Sequence, residues 1–229
     1  MWIKICANTN LDDAQLAIQL GANAVGFVFA PSKRHVTPAQ VAAITPHLAA
    51  THPHVERVGV FQHHTPAEIA TIVREAHLTA AQLHSGSDPI LLAELRTLLP
   101  PSIRIIPTIH WPVHSDPVAA AVQARIQLQQ LAHTLPLGSE PALVLIDSKV
   151  GQASGGTGVA FDWSAARALF SEFAPTLRII AAGGLNPANL ATAIRELQPW
   201  GVDVASGVEA QPGRKDPIKL SEFIRIAKE

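Results

Sequence analysis

Short apolar or β-branched runs alternate with longer amphipathic stretches along the whole chain, and this alternation limits what the sequence can fold into more than any other feature. Strands are expected at Trp2 to Cys6, Ala24 to Phe29, Arg57 to Phe61, Ala80 to Leu83, Ile103 to Pro107, Ala142 to Asp147, Arg178 to Ala182 and Val202 to Ala205. The run from Ala142 to Ile146 is apolar at every position, as in a parallel strand covered on both faces. Helices are expected at Asp12 to Leu20, Pro38 to Leu48, Pro66 to Ala76, Pro89 to Leu98, Val118 to Thr134, Asp162 to Phe170, Pro187 to Leu197 and Pro217 to Lys228. Proline opens five of them, at the position where its missing N–H costs least. Eight such pairs in 229 residues, with no linker between them, point to one α/β domain spanning residues 1–229, a closed (β/α)8 TIM barrel. An open doubly wound sheet is the alternative.

A barrel places its chemistry at the C-terminal ends of the strands. Cys6 and Asp147 close the first and sixth expected strands, so a barrel would bring both to one rim as candidate catalytic groups. Cys6 is the only cysteine, which excludes an internal disulfide and leaves a free thiol, either reactive or simply packed. An aspartate after an apolar run is also ordinary turn material.

Gly155, Gly156 and Gly158 follow Asp147, Gly183 and Gly184 follow the seventh strand, and Ser206 and Gly207 follow the eighth. Loops after the last strands of such barrels are frequent phosphate sites, often with a short extra helix, which Val208 to Ala210 would begin before Pro212 and Gly213 end it. Arg34, in the basic loop after the second strand, suits a planar carboxylate held by two parallel hydrogen bonds, although such loops are commonly just solvated. Gln82 and His84 straddle the end of the fourth strand. Asp203 lies between Val202 and Val204 and needs either a ligand or an internal donor.

Composition narrows the partners. With 48% hydrophobic and 15% charged residues there is ample core, and a formal charge of −1 with a pI near 6.8 offers no broad attraction to nucleic acid or an anionic membrane. No apolar stretch is long enough to span a bilayer and no signal peptide is evident, so a cytoplasmic setting is expected. The eleven histidines have no spaced cysteine or carboxylate partners, so no metal is expected.

Motifs follow one another in a fixed order: Lys4, Ile5 and Cys6 with Thr9 and Asn10; Gly26 to Phe29 with Ser32, Lys33 and Arg34; Val58 to Phe61; Gln82, Leu83 and His84; Asp147 with Gly155 to Gly158 and Phe161 to Trp163; Gly183 to Leu185; Val202 to Val204; and Ser206 to Glu209. In this order the chain resembles the phosphoribosylanthranilate isomerase family. The resemblance implies a one-domain barrel that performs an Amadori rearrangement of a small phosphosugar substrate in tryptophan biosynthesis, without cofactor, as monomer or homodimer. It further implies that Asp147 is the general acid of furanose ring opening and Cys6 the base that removes the C2′ proton. Arg34 would then hold the anthranilate carboxylate, with Gln82, His84 and Asp203 contacting substrate and the glycine loops holding phosphate. The histidine-pathway sister isomerase carries aspartate where Cys6 stands; indole-glycerol-phosphate synthase needs lysines and a glutamate this chain lacks; a non-catalytic phosphosugar-binding barrel would bind without turnover. Ala7 and Asn8 depart from the family's usual glycine and bulky apolar residue, Ser85 from a glycine and Ser148 from a threonine.

Overall fold

Helix starts are written locally. Thr37 and Thr65 each cap the backbone three residues on, while Gln40 and Glu68 return the hydrogen bond, and prolines follow at the first helical position. In the computed structural model, which describes residues 1–112, 116–135, 141–150, 153–154 and 163–229, strands and helices alternate apart from three short added strands. They begin β1 (Trp2–Ile5), α1 (Leu11–Leu20), β2 (Ala24–Val28), α2 (Pro38–Thr51), β3 (Glu56–Phe61), α3 (Pro66–Glu75), β4 (Ala80–Leu83), α4 (Pro89–Leu98), β5 (Arg104–Pro112) and α5 (Pro117–Thr134). They continue β6 (Ala142–Val150), β7 (Ala153–Ser154), α6 (Trp163–Phe173), β8 (Leu177–Ala181), α7 (Pro187–Leu197), β9 (Gly201–Val204), β10 (Glu209–Gln211), β11 (Arg214–Lys215) and α8 (Pro217–Lys228).

The strands pair in parallel in the order β5-β4-β3-β2-β1-β9-β8-β6, and β5 pairs with β6 to close the ring, with β7 an antiparallel appendage on β6. This is the (β/α)8 barrel, not the open sheet. Apolar residues fill two regions: the layer between strands and helices, and a plug inside the barrel that includes Val58, Ile106, Leu143, Leu145 and Ile180. No helix among the described residues is long and apolar enough to cross a membrane.

Two local expectations need correction, and part of a third falls outside the described residues. β5 does not end at Pro107 but runs on to Pro112, pairing Thr108 with Leu145 and His110 with Asp147. Proline is tolerated because Pro107 sits where β5 hands over from β4, its last pairing being with Leu83, to β6. Trp111 is therefore a strand residue, and the fifth connection carries the long outer helix α5. After β9, Ser206–Val208 forms a single 3-10 turn, and Val208 to Ala210 does not begin a helix: Glu209–Gln211 turns at Pro212 and Gly213 and pairs antiparallel with Arg214–Lys215. The sixth helix begins at Trp163 in the described chain; Asp162, like Gly155, Gly156 and Gly158, lies outside the described residues.

Candidate active site

Side chains alternate in and out along a strand, so Lys4 on β1 and Cys6 just past its end, Gln82 and His84 at β4, and Leu145 and Asp147 on β6 point into the barrel or over its rim. The C-terminal mouth is a cavity of about 200 Å³. Cys6, Arg34, Gln82, His84, Asp147 and Asp203 all line it. Gly183, Gly184 and Ser206 form its other wall. A larger cavity of about 840 Å³ lies between α4, α5 and the start of β5, lined by Leu92, Ile103, Leu135 and Leu143 among others; it is away from the rim and holds no such cluster.

The structure places each expected residue in particular company. Arg34 is partly exposed and grips the carboxylate of Glu209: its Nε donates to both oxygens at 2.9 and 3.0 Å and its Nη2 to Oε2 at 2.7 Å. One edge of the guanidinium is thus fixed within the protein. Gln82 is buried, its Nε2 donating to Thr108 Oγ1 at 3.5 Å. His84 Nε2 lies 3.9 Å from Asp147 Oδ2. Asp203 meets the internal donor its setting demanded, Lys4 Nζ at 2.9 Å. Gly183 and Gly184 adopt φ of 83° and 69°, left-handed conformations that favour glycine, in the loop after β8 that lines the cavity. Gly207 has no room for a side chain: a Cβ there would meet the Leu185 carbonyl oxygen at 1.9 Å. The loops after β8 and β9 therefore touch backbone to backbone.

The first loop is shaped by its unusual residues. Ala7 takes φ 62°, a left-handed conformation costly for alanine. The buried Asn8 donates through Nδ2 to the Ile5 carbonyl at 2.8 Å and through its backbone N–H to Gly26 O at 2.9 Å, fastening the loop to β2. Burial pushes the Cys6 thiol above its ordinary range; Lys4 and Lys215 pull it down, and Asp203 adds to the rise. Lys215 Nζ donates to the Cys6 carbonyl at 2.5 Å and lies 3.6 Å from Glu209 Oε1.

Four further residues take part in the site without having been expected in it. His110 and Thr108 lie beyond the expected end of β5 at Pro107, although Ile106, Thr108 and His110 continue the inward alternation. Glu209 and Lys215 act through partners far away in sequence, which no local pattern reveals. His84, His110 and Asp147 place potential ligand atoms within 4.8 Å of one another, the donor types that bind transition metals. This grouping arises from neighbouring strand ends, not from the spacing along the chain on which the expectation of no metal rested.

Residues 3–226 match the family model described as N-(5'phosphoribosyl)anthranilate (PRA) isomerase. The chain belongs to the phosphoribosylanthranilate isomerase family. Curated N-(5'-phosphoribosyl)anthranilate isomerases from Pelobacter propionicus and Geobacter sulfurreducens are 38% and 36% identical to it; the matches cover 99% of this chain and 95% and 98% of those relatives. The crystal structure of phosphoribosyl anthranilate isomerase from Thermotoga maritima superposes with a TM-score of 0.80 at 33% identity, covering 100% of this chain and 98% of that one. A second solved isomerase, in complex with reduced 1-(o-carboxyphenylamino)-1-deoxyribulose 5-phosphate, has a TM-score of 0.76 at 32% identity, covering 100% and 98%. The protein is accordingly a phosphoribosylanthranilate isomerase, an enzyme of tryptophan biosynthesis.

Proposed function

We propose that Cys6 and Asp147 divide the proton transfers of the isomerisation between them. The observation that carries this reading is that both line one cavity, from β1 and β6, with a glycine-rich wall beside them. The substrate is N-(5-phosphoribosyl)anthranilate. Asp147, protonated, delivers its proton to the furanose ring oxygen as the C1′–O bond breaks and the anilino nitrogen forms a Schiff base with C1′. Cys6, as thiolate, then removes the C2′ proton, and the electron pair moves into the C1′–C2′ bond to neutralise the iminium. The resulting enolamine tautomerises to the 2′-ketone. One group gives a proton and one takes a proton, so the pair suffices without redox chemistry.

Gly183, Gly184, Ser206 and Gly207 suit the substrate phosphate by their backbone N–H groups, with Gly155, Gly156 and Gly158 assigned to the same task on sequence grounds. Arg34, with its Nε edge held by Glu209, is directed at the anthranilate carboxylate, while Gln82, His84 and Asp203 complete the substrate contacts. All these residues come from one chain, so the site serves a monomer or a homodimer alike. A cytoplasmic setting suits a free thiol and a water-soluble phosphosugar.

The test is turnover of freshly prepared phosphoribosylanthranilate, followed by loss of its fluorescence. Cys6→Ala and Asp147→Asn should each lower kcat by about 10²-fold to 10⁴-fold while circular dichroism stays native. Near-native turnover by either folded variant removes that residue from the mechanism.

A further inference from the structure

We propose that Lys4 is the counter-cation of Cys6, a positioning residue whose buried ammonium, held on one side by Asp203, faces the sulfur and receives the negative charge it carries as a thiolate. Lys4 and Cys6 are two residues apart on the β1 line and so share the inward face. Lys4 is fully buried, among the largest wholly enclosed side chains in the protein. An ammonium taken out of water must be compensated inside. Asp203, its cross-strand partner in the β1–β9 register, supplies one carboxylate oxygen at 2.9 Å. A single acceptor leaves the ammonium two further protons.

The shape of the barrel wall brings the lysine stem and the sulfur together. On β2, Gly26 has no side chain, and a Cβ added there would lie 2.8 Å from Cys6 Sγ and 3.1 Å from Lys4 Cε. The glycine thus opens one slot that the sulfur and the lysine stem share. Burial works to lower the Lys4 ammonium, and the charges of Asp203 and Cys6 beside it hold it above its ordinary range.

Other charges around the sulfur are committed elsewhere. Lys215 donates to the Cys6 and Ala205 carbonyls and pairs with Glu209, so its charge reaches the sulfur without contact. Arg34, from the loop after β2, is occupied by Glu209 and likewise acts at a distance. Asp147 and His84 stand on β6 and at the end of β4, elsewhere on the cavity lining. Asp203 alone opposes ionisation of the thiol from close by, and does so while anchoring the cation that favours it. The two members of the ion pair therefore act on Cys6 with opposite sign.

That opposition supplies the test. Cys6 is the only cysteine, so the rate of alkylation by iodoacetamide against pH reports its ionisation directly, with no substrate present. Because Lys4→Met strands a buried carboxylate, Asp203→Asn and the double variant Lys4→Met with Asp203→Asn are made alongside it. Asp203→Asn should move the alkylation profile to lower pH than in the parent protein. Relative to Asp203→Asn, the double variant should move it to higher pH, with alkylation about tenfold slower at pH 8, a shift of roughly one unit. A double variant with the profile of Asp203→Asn overturns the proposal, as does an upward shift in Asp203→Asn itself. Where Lys4→Met folds, its kcat should fall at least tenfold with KM within about threefold, since Lys4 does not line the cavity. The catalytic consequence rests on Cys6 being the base: if Cys6→Ala kept full turnover while the alkylation shifts held, the base assignment would fail and the counter-cation would stand.

Discussion

Ala7 is an L-residue in a conformation that disfavours L-residues, immediately after the thiol. The left-handed region costs about 1–2 kcal/mol for such a residue, while glycine adds about 0.5–1 kcal/mol of unfolded-chain entropy. Ala7→Gly should therefore stabilise the protein by about 0.5–1 kcal/mol, read as a higher urea midpoint at unchanged slope; a lower midpoint would mean that packing of the alanine methyl outweighs the strain. At this scale the sequence was informative in part. Cys6, Asp147 and Asp203 announced themselves by standing at strand ends or inside an apolar run. What Asp203 meets was not legible, because Lys4 lies 199 residues away in sequence and only ring closure brings it alongside. Ala7 and Asn8 were visible as departures from a pattern, but the loop they make, pinned to Ile5 and Gly26 carbonyls, is a tertiary fact.

At the scale of elements, β10 and β11 form a small hairpin whose glutamate gathers charge from three directions. Burial works to raise the Glu209 carboxyl, but the Arg34 hydrogen bonds, the Lys215 and Arg34 charges and the Gly213 N–H hold it below its ordinary value. A carboxyl depressed in the folded state stabilises fully above its unfolded value of about 4.3 and loses that contribution as pH falls through the folded value. Stability of the parent protein should thus decline more steeply between pH 5 and 3 than that of Glu209→Gln, as measured by urea midpoints across that range; parallel declines would deny the carboxylate its role. This hairpin was expected to be a helix because barrels often place one there, and the residues Pro212 and Gly213 that were assigned to end the helix instead make the turn. β5 failed for the complementary reason. Proline is a reliable strand terminator only where the N–H is needed on that side, and Pro107 sits at a change of partner.

For the whole molecule, the eight-fold alternation was legible because each β/α unit writes its own caps, prolines and apolar runs, whereas barrel closure by β5 and β6 is not encoded in any one unit. Tryptophans occur at both ends: Trp2 and Trp200 stack with centroids 5.5 Å apart, and Trp111 is buried toward the rim on β5. If the ring unfolds as one body, urea transitions followed by tryptophan fluorescence and by far-ultraviolet circular dichroism should coincide; separated midpoints would show sub-domains. The same interlocking fixes the rim, since Gly207 packs against the Leu185 carbonyl. Stitching between segments far apart in sequence goes further. Asp13 Oδ2 accepts from the Lys215 N–H at 3.0 Å, and Lys215 Nζ reaches the carbonyl of Cys6. During synthesis on the ribosome the thiol therefore precedes, by 209 residues, the lysine that fastens the backbone around it. The site cannot be assembled until residue 215 has cleared the exit tunnel.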